Sequence, residues 1–161
     1  MTPALQRLRA EIRFDREAFE HRLRELEDLP LDAAPPTPAE TAQAAVALHH
    51  AYCAIESILV RVARQIEGSL PQGPEWHQAL LHTAGLEIPG VRPALLSRES
   101  VEALRRLLGF RHFFRHGYAV PLDPAQLAAL RRETRTLAPR LLTEINELDS
   151  LLASIAAGNA R

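Results

Sequence analysis

The chain has 161 residues, 47 % of them hydrophobic and 24 % charged, with a formal net charge of −1. That length suits one domain, 1–161, with a core of its own, and the balance excludes a wholly disordered or fibrous chain. The single cysteine, Cys53, excludes an internal disulfide or thiolate zinc cage, and no run approaches the roughly 18 apolar residues that cross a bilayer, so a cytoplasmic protein with no membrane partner is expected.

The first predicted helix runs from Pro3 to about Asp28, with Thr2 as its cap and Leu5, Leu8, Ile12, Phe19, Leu23 and Leu26 on one apolar face. Its charges, six arginines against seven acids, read as a solvated face with i,i+4 pairing. A proline-rich linker over 29–37 follows, because Pro30, Pro35 and Pro36 withhold amide donors from any continuing helix. Thr37, Pro38 and Glu40 form a capping box for the second helix. That helix presents Ala45, Leu48, Tyr52, Ile55, Leu59, Val62 and Ile66 before Gly68 ends it. Cys53 reads there as a small buried hydrophobe, and His49 and His50 as polar edge residues. Glu56 interrupts the apolar face, where an unpaired carboxylate is costly, so an arginine partner from the fourth helix is expected.

A short third helix begins near Trp76 and His77, for which packing is expected. The fourth runs from about Arg98 to His116, with Gly117 as C-terminal cap. Asp123, Pro124 and Gln126 open a last helix that Pro139 should bend or split. Nothing in the sequence has strand-like alternation. The predicted fold is therefore all-α, an up-and-down bundle of four main helices plus a short one.

All 19 basic residues are arginines, and the net charge conceals how they are distributed. Between residues 98 and 122, five arginines stand against two acids, a local excess of three positive charges in a chain otherwise neutral to acidic. Taking Arg111 as the origin of a wheel at about 100° per residue, Arg115, His112 and His116 fall near 40°, 100° and 140°, one polar arc. Phe110, Phe113 and Phe114 fall on the other side and can anchor the helix to the core. An arginine fork matches a phosphate and an imidazole moves a proton near neutral pH, so the arc has the parts for phosphodiester chemistry without a metal. Two alternatives stand beside that reading: a merely solvated face for Arg111 and His116, and metal ligation by His112 and His116, although no nearby carboxylate or cysteine completes such a set.

The run from Arg111 through His116 to Tyr118 matches an R-x4-H-x-Y motif, and with HAYCAIESIL, EWHQALL and RPALLS it resembles the HepT-type toxins of the HEPN superfamily of helical ribonucleases. The resemblance implies a metal-independent endoribonuclease that needs no cofactor. Arg111 would hold the scissile phosphate, His116 would transfer protons, and His112 and Arg115 would contact the RNA substrate. It also implies a minimal nucleotidyltransferase antitoxin that transfers AMP to Tyr118, placing bulk and negative charge beside the site. His112 departs from the family, in which a small polar residue often follows the arginine. Transesterification needs a base and an acid at once. Either His112 serves beside His116, or two chains pair; HEPN relatives use the latter arrangement, so a homodimer is expected, with Glu56 supporting the site. The alternative is a catalytically silent HEPN-like docking subunit of a nucleotidyltransferase.

Overall fold

A computed structural model describes residues 3–31, 35–117 and 121–158. Five helices account for its regular structure: α1 (Pro3–Asp28), α2 (Pro38–Val62), α3 (Trp76–Ala84), α4 (Arg98–His116) and α5 (Pro124–Gly158). Thr2, the expected cap of α1, lies outside the described residues. The capping box of α2 forms as read from the sequence, with Thr37 Oγ1 accepting from the Glu40 amide at 3.2 Å and Glu40 Oε2 accepting from the Thr37 amide at 2.7 Å. The end of α2 widens into a π-type turn over Ala63–Glu67, which Gly68 closes at a φ of 75°.

Cross-helix pairs set the directions of the long helices. Asp15 and Glu11 on α1 meet Arg61 on α2 at 2.7 and 2.9 Å, Glu56 and His49 on α2 meet Arg111 and Phe114 on α4, and Arg106 and Glu99 on α4 meet Glu133 and Arg140 on α5. Along α2 and α4, and along α4 and α5, the paired residue numbers rise on one helix as they fall on the other, and the Arg9–Asp149 and Leu26–Arg131 contacts do the same for α1 and α5, so the four long helices run alternately up and down. Central α2 touches all four other helices. Its Leu48, Tyr52, Ile55 and Ile58 join Leu8, Ile12 and Phe19 of α1, Leu104 of α4 and Leu141 of α5 in the core, each large side chain contributing about 1.5–3 kcal/mol by leaving water. The stretch Pro38–Glu67 does have the length and composition to cross a bilayer, contrary to the expectation from apolar runs. In this fold 61 % of its most apolar window is buried inside the bundle.

Several local readings change. The charges of α1 are not only a solvated face: Asp15 is buried against Arg61, and Arg9 and Arg13 both reach Asp149 on α5. Cys53 is half-buried, with Sγ 3.7 Å from His49 Nε2. Pro139 does not split α5; it lies on the exposed side of the helix, as does Arg135, whose carbonyl loses its amide partner. Asp123 caps α5 by accepting from the Ala125 amide at 2.9 Å.

Buried arginines fasten the connections. Arg131 donates to the Leu26 and Leu29 carbonyls at 3.2 and 2.7 Å, tying the end of α1 and the start of the linker to α5. Arg92 pairs with Glu67 and donates to the carbonyls of Thr83, Leu86 and Pro93, which holds α3 against the end of α2. That second clamp places His77.

Candidate functional site

The second half of α4 carries the predicted site residues, and the structure divides them. His112, Arg115 and His116 are exposed, as the wheel predicts, and Phe110 is buried while Phe113 and Phe114 pack half-buried against the core. Arg111 instead is only 7 % exposed. The reason is in the sequence: Leu104, Leu107 and Leu108 lie seven, four and three residues before it, so Arg111 continues their buried face. The expected four-residue polar arc is therefore a buried arginine beside a three-residue exposed surface.

Burying a guanidinium requires compensation, and two other helices provide it. Glu56 of α2 places Oε1 3.4 Å from Arg111 Nη2, which is the arginine partner expected for that carboxylate. His77 of α3 places Nδ1 2.6 Å from Glu56 Oε2 and Nε2 3.4 Å from Arg111 Nη1. Glu56, His77 and Arg111 thus close a buried triangle that joins α2, α3 and α4. Tyr52, one turn before Glu56, lies under the guanidinium with its ring centroid 5.9 Å from Arg111 Cζ. Its hydroxyl is buried without a hydrogen-bond partner, and burial, then the Glu56 carboxylate, hold the phenol well above the ordinary tyrosine range.

The contacts of Arg111 are long. Arg9, Arg61 and Arg92 reach their carboxylates at 2.6–2.7 Å, whereas both Arg111 contacts are at 3.4 Å and its Nε, also buried, has no partner. A guanidinium has five N–H donors in a planar fork. Arg111 therefore retains donor capacity that the protein does not use.

On the exposed side, His116 Nδ1 lies 2.9 Å from the His112 carbonyl. A carbonyl only accepts, so Nδ1 carries the proton and Nε2 turns a lone pair outward, the tautomer suited to a general base. Among the described residues no carboxylate pairs with Arg115. His49 extends the site onto α2: its ring packs at a tilt against Phe114, with centroids 5.3 Å apart, and against His50, at 5.5 Å. Burial, then His50, Arg111 and Arg115, push its imidazole below the ordinary histidine range, favouring its neutral form. Gly117 closes α4 with a φ of −92°, so a left-handed backbone is not what requires glycine. A Cβ there would sit 2.7 Å from the Phe113 carbonyl oxygen and 3.1 Å from its ring, and that close approach is the reason.

Tyr118, the expected acceptor of AMP, lies outside the described residues. His77 is the site residue that sequence reading missed: it was expected only to pack, and no pattern along the chain connects it to Glu56 or Arg111. Among the described residues no group of three or more His, Cys, Asp or Glu side chains is placed to hold a metal ion. Residues 43–152 match the family model of a HepT-like protein. No curated protein and no solved structure matches the chain.

Proposed function

Because this chain belongs to the HepT-like family of the HEPN superfamily, we propose that it is a metal-independent endoribonuclease, the toxin of a cytoplasmic toxin–antitoxin pair. The observation that carries this reading is the spare donor capacity of buried Arg111 beside an exposed face that holds Arg115 and the outward Nε2 of His116. Such a surface suits a phosphodiester: guanidinium donors for the non-bridging oxygens and an imidazole for the proton.

In the proposed reaction His116 Nε2 takes the proton of the RNA 2′-hydroxyl as its oxygen attacks the adjacent phosphorus. The new O2′–P bond forms while the P–O5′ bond breaks, leaving a cyclic phosphate on one product. An imidazolium then protonates the departing 5′-oxygen. His116 of a second copy, in a two-fold homodimer, is the proposed acid, with His112 of the same chain as the alternative source. AMP transfer to Tyr118 by a minimal nucleotidyltransferase would set a phosphate charge two residues from His116 and repel the substrate.

One observation favours a second reading. Arg111 is 7 % exposed and already faces a carboxylate, an arrangement that also suits a catalytically silent docking subunit of a nucleotidyltransferase. The two separate on expression alone. A ribonuclease toxin arrests growth, and His116→Ala relieves the arrest and lowers cleavage of RNA by purified protein by about 10²–10⁴-fold. A chain that is harmless alone, cuts no RNA and binds its nucleotidyltransferase whether or not His116 is present is the silent subunit.

A further inference from the structure

Resting on the reading of Arg111 as the phosphate-holding arginine, we propose that His77 is a positioning residue, whose imidazole sets the plane in which Arg111 presents its unused donors to RNA. Both ring nitrogens of His77 are engaged by groups from other helices, at 2.6 Å to Glu56 and 3.4 Å to Arg111. A carboxylate can only accept and a guanidinium can only donate. A single tautomer satisfies both, with the proton on Nδ1 and the lone pair of Nε2 towards Arg111. The opposite tautomer would set N–H against N–H on one side and a lone pair against a carboxylate on the other.

The ring is also held in orientation. Trp76 covers one face at 3.7 Å and 30°, and His112 stands edge-on at 5.7 Å and 82°. The helix that carries it is fastened by the buried Arg92 clamp to Glu67, Thr83 and Leu86. His77 is thus a fixed acceptor delivered by a fixed helix. Glu56 alone contacts Nη2 and leaves the guanidinium free to pivot about that contact. The second contact, from His77 to Nη1, defines the fork in two places and leaves each terminal nitrogen one further N–H. His112 touches the same imidazole, so the exposed face of α4 and the buried arginine share one rigid reference point. Preorganisation of this kind strengthens phosphate binding by removing the cost of ordering the arginine.

Two substitutions separate positioning from plain packing. Asparagine at this position puts an amide nitrogen where Nδ1 was, so His77→Asn keeps a donor for Glu56 and stops short of Arg111. Glutamine reaches the Nε2 position, so His77→Gln restores an acceptor for Arg111. The full-length chain carrying His116→Ala, to prevent cleavage, is titrated into a fluorescein-labelled mixed-sequence single-stranded RNA and anisotropy is read. His77→Asn is expected to weaken binding about tenfold, the scale of one hydrogen bond to a charged group, while His77→Gln stays within about threefold of the parent. In the unmutated chain, two-dimensional imidazole ¹⁵N spectra should show His77 protonated on Nδ1 and bare on Nε2, a measurement that needs no variant to fold. A proton on Nε2, or His77→Asn binding RNA as tightly as its parent, overturns the inference. Arg111→Met sorts the two levels: unchanged RNA binding in that variant defeats the reading of Arg111 itself, whereas weakened binding there with full binding in His77→Asn defeats only the role of His77.

Discussion

Removing one side of the buried Glu56–Arg111 pair should cost far more than removing both. The charges are 3.4 Å apart with side chains about nine-tenths buried; at an effective dielectric of about 20 their attraction is about 5 kcal/mol. Glu56→Leu leaves a guanidinium and the His77 Nδ1–H without the carboxylate that both face, and Arg111→Met leaves that carboxylate with His77 alone. Each single variant is expected to lose about 3–5 kcal/mol, the usual cost of stranding a buried charge, which is a large part of the total stability of a small protein. The double variant Glu56→Leu/Arg111→Met strands no charge and fills the space with apolar atoms. Its remaining loss should be about 1–3 kcal/mol, mainly from the orphaned His77 donor. Urea denaturation followed by circular dichroism gives all four corners of the cycle. A coupling energy below about 0.5 kcal/mol, with the double loss equal to the sum of the singles, would show that the pair does not interact in the folded protein and would refute the argument.

Other predictions test the frame of the site. Gly117→Ala forces a methyl group into the Phe113 carbonyl and ring at 2.7 and 3.1 Å and should destabilise by about 1–3 kcal/mol, measured by the same denaturation. Pro139→Ala restores an amide donor inside a continuous α5 and should raise stability by about 1–3 kcal/mol, again read from the urea midpoint; an unchanged or lower midpoint would mean the proline is already accommodated without cost. Hydrogen bonds from Arg9, and also from Arg13, hold the Asp149 carboxyl below its ordinary value. Its stabilising contribution is therefore complete above the unfolded aspartate value near about 4 and is lost as pH falls through the lower folded value. Asp149→Asn should thus lower Tm at pH 7 and make progressively less difference below about pH 4. An equal Tm difference at pH 7 and pH 2 would contradict that assignment.

Much of the helix plan was legible locally because its signals are local. The capping box at Thr37 and Glu40 needs only residues three apart, and the apolar spacing of Leu8, Ile12, Phe19 and Leu26 marks the buried side of α1 whatever it packs against. Glu56 was legible as a residue in want of a partner, since a carboxylate on an apolar face is anomalous wherever that face is buried. Arg111 was legible as chemistry but was placed on the wrong side. Its motif neighbours His112, Arg115 and His116 argued for an exposed arc, while Leu104, Leu107 and Leu108, equally visible, argued for burial. The leucines prevail because three side chains leaving water outweigh one guanidinium once a carboxylate neutralises it.

By itself, the sequence determined the five helices, the basic character of the fourth, and the arginine and histidine residues gathered near its end, because each depends on period, capping or local charge. Only the tertiary structure decided that Arg111 turns inward, that Glu56 and His77 are its partners, and that Arg92 fastens the helix delivering His77. Those contacts join residues 21 to 55 positions apart in the chain. Which pairs meet at such separations follows from how whole faces pack, and no local pattern along the chain encodes it.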